Sequence, residues 1–246
     1  MMQFDSPHST STMSMPADSP VLSTENSVNG LAGLLPEGRV KMAVARLSEP
    51  WTEDTSRLFP EERMALAGMS EKRRREFVAG RILARSLFAE FGIGPHAVRQ
   101  NHDRSPEWPA GIIGSITHTD DICVVAMGRE EHLCALGIDI ERRRALEQEL
   151  WEYICGEDEI DALPSSINSG EGACWIFCAK EAYYKAQFPH TGSMLSFRDL
   201  KVILEVHTAT FRVQCNHIGK SEIFDSGVGR LWRSGAHLGA VWLVAV

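Results

Sequence analysis

"LGIDIERRR", residues 136–144, decides how the chain is read. As a strand it sends Ile138 and Ile140 to one side and Asp139 and Glu141 to the other, because successive side chains alternate across the pleat. The preceding "HLCAL" (132–136) carries that strand into a core. Two carboxylates side by side on a core strand are costly unless something compensates them. One solution is a salt bridge to Arg142–Arg144, which follow at once. The other is a hard cation such as Mg²⁺, which takes oxygen ligands and keeps waters and substrate phosphates. A third carboxylate from elsewhere would favour the metal.

"GACWIFCAKEAYYKAQF" (172–188) reads as a helix of about four turns closed by Pro189. At about 100° per residue, Cys174, Cys178, Glu181 and Lys185 fall on one narrow face. Phe177 and Tyr184 flank it on one side, Trp175 and Ala182 on the other. Glu181 and Lys185 therefore lie within the apolar stripe. They are either an ordinary i,i+4 ion pair or a third carboxylate with an ammonium beside it.

A second helix is predicted over "SEKRRREFVAGRILARSLFAEFG" (70–92), with Ser70 as N-cap and Gly92 as stop. Arg73, Phe77, Arg81, Ala84 and Phe88 share one face. Arg75 points away, and Arg74 and Arg85 lie at the edge. Arg73 also sits in the first turn, where the macrodipole disfavours a cation by about 0.3–1 kcal/mol. The residues read as a solvated basic face or as a site for an anion, which would offset that cost. "GSITHTDD" (114–121) is a polar turn between apolar strands, offering Thr117 and His118 at a strand end. Three acids, a placed lysine, two placed arginines and a Thr-His turn together describe a pocket for a metal and a polyphosphate.

The rest of the chain sets the frame. Its 246 residues are 43% apolar and 24% charged, enough for one large domain or two small ones. A net charge of −8 argues against a general nucleic-acid binder. No apolar run approaches the roughly 20 residues of a membrane span, and the first 20 residues lack the pattern of a signal peptide. The expected location is the cytoplasm. The six cysteines, among them Cys123, Cys134, Cys174 and Cys178 in apolar runs, read as small buried hydrophobes. Residues 1–32, rich in Ser, Thr, Pro, Met and Asn, are expected to be a disordered tail. Strands are expected at "VKMAVARL", on both sides of the 118–121 turn, at "KVILEVH", "TFRVQCNH" and "AHLGAVWLVAV".

The chain resembles the 4′-phosphopantetheinyl transferases of the enterobactin-synthetase-component or surfactin type. "LLPEGR", "RRREFVAGRILAR", "PEWPAGIIGSITHT", "LGIDIE" and "WIFCAKEAYYKAQFP" run in that family's order across roughly residues 34–190. The resemblance implies an α/β (α+β) fold of two similar halves, residues 33–132 and 133–246, related by a pseudo-twofold with coenzyme A in the cleft between them. It implies that Asp139, Glu141 and Glu181 hold Mg²⁺ against the pyrophosphate, and that Glu181 is also the general base. Lys185 would contact the phosphate and stabilise the leaving group. Arg73, Arg81, Thr117 and His118 would bind the 3′-phosphate and adenosine end, and Leu195 would line the pantetheine path. Where the family often carries several basic residues before "PEWP", this chain offers Arg104.

The implied reaction moves phosphopantetheine from coenzyme A to a serine of an apo acyl-carrier or peptidyl-carrier protein, releasing adenosine 3′,5′-bisphosphate. Such carriers serve siderophore, nonribosomal-peptide and polyketide biosynthesis. The enzyme is expected to be a monomer. Two alternatives use the same residues: a metal-dependent phosphohydrolase, and a non-catalytic coenzyme A-binding module.

Overall fold

The strand carrying the two carboxylates lies at the junction of two antiparallel sheets. The computed structural model describes residues 38–216 and 222–246. The expected N-terminal tail lies outside them. Strands β1 (Val40–Arg46), β3 (Ile122–Arg129) and β2 (Ile112–His118) form one sheet in the order β1-β3-β2. The second sheet is ordered β4-β8-β7-β6-β5, from β4 (Leu133–Arg142), β5 (Leu200–Glu205), β6 (Thr210–Cys215), β7 (Val228–Ser234) and β8 (His237–Ala245). Helices are α1 (Pro60–Arg63), α2 (Glu71–Glu90), α3 (Gln148–Ile154), α4 (Glu157–Asp161) and α5 (Ser169–Thr191). The class is α+β.

Burial orders these elements into layers. Phe88, Leu83 and Leu87 of α2 pack with Cys123, Val125 and Met127 of β3. The alternate residues of β3, Ile122, Val124 and Ala126, pack on Leu136, Ile138 and Ile140 of β4 and Val241 and Leu243 of β8. On the far side of the second sheet, α5 covers Leu238, Ala240, Trp242 and Val244 of β8. A strand buried on both faces reads as a continuous apolar run, which explains "ICVVAM" and "LGAVWLVA". Fully burying a side chain such as Phe88 contributes about 1.5–3 kcal/mol, so the three seams dominate the fold.

Helix α2 begins as the sequence predicts, whereas α5 begins at Ser169, three residues before the expected start. Ser70 accepts the Arg73 amide at the start of α2, and Gly92 follows its end at φ 71°. Asn168 caps α5 through the Gly170 amide. One expectation is corrected: Pro189 does not close α5. The helix runs on to Thr191 and stops at Gly192, which takes the left-handed conformation at φ 62°. Proline can sit in a last turn because it forfeits only its own N–H bond to the carbonyl four residues back, and glycine supplies the stop. Strand β7, "VGRLWRS", was not anticipated, its alternation being blurred by Gly229 and two arginines. All six cysteines are free thiols, as expected.

Candidate active site

Gly137 brings the carboxylate strand and α5 together. A Cβ there would stand 1.9 Å from the Ala182 carbonyl oxygen and 2.6 Å from the Ala186 nitrogen. Only a residue without one permits this approach. Ile138 and Ile140 turn to the inter-sheet core, so Gly137, Asp139 and Glu141 turn to the α5 side. On α2, Gly80 plays a similar part, leaving 3.2 Å between an added Cβ and Ile116 of β2. With Ile116 committed to that side, Ser115 and Thr117 face β4.

No backbone ladder joins β2 to β4; side chains bridge them instead. Ser115 Oγ accepts the Ile138 amide at 3.1 Å, and Thr117 Oγ1 donates to Asp139 Oδ1 at 2.9 Å. Lys185 Nζ reaches the same Oδ1 at 2.6 Å and also contacts the Ile138 carbonyl at 3.3 Å. Asp139 Oδ2 is buried without a hydrogen-bond partner. The sequence left two compensations open for these acids. Arg142–Arg144 do not close on Asp139: Arg142 pairs with Asp121 and Arg143 with Glu171. Lys185, one helical turn beyond Glu181, is its counter-ion.

The acids perturb one another. Burial, then the neighbouring Asp139 charge, pushes the Glu141 carboxyl up to about 7, with Arg144 and Lys185 opposing. Burial also raises Glu181, against Lys185. Burial pulls the Lys185 ammonium down, but Asp139 overrides it and holds that lysine above its ordinary value. Among the described residues no three His, Cys, Asp or Glu groups converge tightly enough to hold a metal as they stand. The donor set nonetheless suits a hard cation. It is all carboxylate, its charges repel, and one buried oxygen lacks a partner.

Arg73 meets His118 where the start of α2 passes the end of β2, beside Thr117, while Arg81 lies two turns further along α2. Arg73 Nη1 donates to His118 Nε2 at 2.6 Å and to Glu76 Oε2 at 3.0 Å. An arginine can only donate, so His118 accepts through Nε2 in its neutral form. Burial, with Arg73 adding to it and Glu76 opposing, lowers its pKa accordingly. Glu76, a buried acid touching both, was missed in the sequence. Its spacing of three from Arg73 was the available signal.

Arg81 lies deeper than a wheel can tell. It is 5% exposed, its guanidinium 3.8 Å from the Phe77 ring centroid. Nε donates to the Val98 carbonyl at 3.1 Å, and Nη2 is buried without a partner. Burial pulls its pKa down to about 10. Arg85, placed at the edge by the wheel, is instead buried against Glu62, which also accepts the Val98 amide.

Arg104 is exposed at the tip of a turn, with φ 71°. Asp103 beside it is near enough to Tyr184 of α5 to help raise that phenol, after burial and Glu181. Leu195 is half-buried and packs on the α5 core, next to the exposed Met194, whose sulfur accepts from the Tyr184 hydroxyl. Neither Arg104 nor Leu195 is linked to the acids by a hydrogen bond or ion pair.

A carboxylate strand laid against a Glu-x-x-x-Lys helix, with an arginine-bearing helix across the seam, brings together groups chemically suited to a cation and an anion. Two adjoining family profiles match the chain: the 4′-phosphopantetheinyl transferase N-terminal domain over residues 61–128, and the 4′-phosphopantetheinyl transferase superfamily over 135–238. The chain belongs to that superfamily. It is 33% identical over 147 residues to a 4′-phosphopantetheinyl transferase of Nocardia iowensis, covering 60% of this chain and 66% of that protein. It is 33% identical over 149 residues to one of Mycobacterium tuberculosis, covering 59% and 65%. It is 33% identical over 144 residues to enterobactin synthase component D of Salmonella typhimurium, covering 57% and 58%. The matches thus span about two thirds or less of these relatives' lengths.

Proposed function

We propose that this chain transfers the 4′-phosphopantetheine group of coenzyme A to a serine of an apo acyl- or peptidyl-carrier protein, releasing adenosine 3′,5′-bisphosphate. The observation that carries this reading is the Asp139 carboxylate. One oxygen is held by Lys185 and Thr117, while the other is buried, unpartnered and flanked by further acids. A closed structural pair would leave no such oxygen.

Asp139, Glu141 and Glu181 are the residues that would hold Mg²⁺. Bound there, the ion would neutralise the pyrophosphate and act as a Lewis acid toward its oxygens. The chain's own groups do the rest. Glu181, made more basic by its burial, takes the proton of the serine hydroxyl. The serine oxygen then forms a bond to the phosphorus that bears pantetheine, and the pyrophosphate P–O bond breaks. The leaving 3′,5′-bisphosphate carries the electron pair away. Lys185, a cation held above its ordinary pKa, stabilises charge growing on the phosphate oxygens. Arg73, Arg81, Thr117 and His118 bind the 3′-phosphate and adenosine, Arg104 adds a phosphate contact, and Leu195 lines the pantetheine path.

In this reading the halves 33–132 and 133–246 face each other across the ligand cleft, and the enzyme works as a cytoplasmic monomer. Among the described residues no helix is long and apolar enough to cross a membrane.

Mixing the protein with coenzyme A, Mg²⁺ and an apo carrier protein, then weighing the carrier, tests this directly. The carrier should gain the mass of one phosphopantetheine, and only with Mg²⁺ present. Hydrolysis of coenzyme A without carrier modification would point to a phosphohydrolase. Binding without turnover would point to a non-catalytic module. Either result would overturn the proposal.

A further inference from the structure

Away from the acids and the arginines of α2, one more polar cluster crosses the seam between the sheets. Asp121 sits in the turn between β2 and β3. Its Oδ1 accepts from Thr119 Oγ1 at 2.6 Å and from His237 Nε2 at 3.1 Å. Its Oδ2 lies 3.1 Å from Arg142 Nη2. Its backbone carbonyl accepts the Leu47 amide at 2.7 Å, tying in the end of β1. His237 is the first residue of β8, is 5% exposed, and faces Arg142, the last residue of β4, in register. A single carboxylate thus gathers donors from the turn of the first sheet and from two strand ends of the second.

The placement of this cluster gives it a role. Thr117 and His118 end β2, four and three residues before Asp121. Asp139 and Glu141 end β4, and Arg142 follows Glu141 directly. The remaining bridges between β2 and β4 run through Ser115, Thr117 and Lys185, of which two belong to the candidate site itself. Asp121 is a clamp that no ligand needs to displace. Its contacts to Arg142 and His237 are both 3.1 Å long, and the His237 contact is the one shielded from water. Within the described residues the two strand ends have no main-chain ladder to fix their separation.

We infer that Asp121, with His237 and Arg142, is a positioning group that sets the distance between the nucleotide side of the site (Thr117, His118) and its carboxylate side (Asp139, Glu141). The inference rests on the coenzyme A reading, because coenzyme A is a ligand long enough to engage both sides at once. A displacement of about 1 Å between groups that must act together can cost on the order of a hundredfold in rate. A ligand that touches one side alone is indifferent to that distance.

This gives a test that a general loss of stability would not mimic. The full-length protein and its Asp121→Asn variant are titrated calorimetrically with coenzyme A plus Mg²⁺, and with adenosine 3′-phosphate as a one-sided probe. Loss of the clamp should weaken coenzyme A by about tenfold or more while adenosine 3′-phosphate changes by less than about twofold. His237→Leu, which removes one donor and leaves the carboxylate with Arg142 and Thr119, should show the same selectivity in smaller measure. It decides the matter if Asp121→Asn fails to fold. Unchanged coenzyme A affinity, or equal losses for both ligands, would overturn the inference. Should the parent protein itself fail to bind coenzyme A, the functional reading falls first. If the parent binds and the variants keep its ratio, only the clamp is refuted.

Discussion

Lys180 and Lys185 lie five residues apart on α5 and make opposite use of a lysine paired with a buried acid. Lys180 is 1% exposed and saturated: Nζ donates to Glu159 Oε2 at 2.7 Å, the Ile154 carbonyl at 3.0 Å and the Phe197 carbonyl at 2.9 Å. Glu159 is saturated too, accepting the Gly156 and Val202 amides. Lys185 is 27% exposed and pairs with an aspartate that keeps one oxygen free. The first pair is closed and fastens α4, β5 and the 197 turn to the helix. The second is open and faces other acids. Buried charge by itself is therefore no guide to function in this protein; what separates the two sites is whether every polar atom has been answered.

Breaking the closed pair should have the largest effect on the fold. Lys180→Met leaves Glu159 buried without its counter-charge, and removal of one partner of a buried pair typically costs about 3–5 kcal/mol. Chemical denaturation should show that loss, and the double variant Lys180→Met/Glu159→Gln should recover part of it. A single variant as stable as the parent would mean that the two lysines do not differ in the way described.

Breaking the open pair should spare the fold and stop the chemistry. Glu181→Gln is expected to cut single-turnover transfer to an apo carrier by a factor of about 100 or more, with no rescue by excess Mg²⁺. Lys185→Ala should still bind coenzyme A, more weakly, and lose mainly the chemical step, again by about 100-fold. If both react at the parent rate, α5 is structural and the site lies elsewhere.

Arg81 stands between the two kinds, with Nε answered by Val98 and Nη2 left open. Arg81→Ala should weaken coenzyme A more than dephospho-coenzyme A, by roughly 1.5–3 kcal/mol for the lost charge-assisted contact. Equal losses would show that the residue only grips the Val98 carbonyl. The smallest effect is expected from deleting residues 1–32. That segment has too few apolar residues to offset ordering costs of about 1–2 kcal/mol per residue, so rate and melting temperature should stay near the parent values.

Much of this was legible beforehand, for a local reason. Helices α2 and α5, the Ser70 cap and most strands follow from periodicity and capping within a few neighbouring residues. The acids at 139 and 141 were conspicuous because an alternating strand had no apolar excuse for them. What escaped was set by distance along the chain. Glu62 meets Arg85 across 23 residues, Glu159 meets Lys180 across 21, and Asp121 meets His237 across 116. No pattern in a short window distinguishes such partners from surface charges. The wheel placed Arg85 at an edge because it cannot see the segment from Arg57 to Glu62 of α1 that folds over it.

The glycine at 137 has a consequence for anyone who would remodel this protein. The helix and the strand touch there backbone to backbone, so their separation is set by a missing atom rather than by side chains that could repack. Adding a single methyl would act as a wedge under the middle of α5, lifting Glu181 and Lys185 together from the acids of β4 while leaving every functional group chemically intact. The site's working distance is thus encoded in a residue that carries no chemistry, and it can be detuned without touching any residue that does.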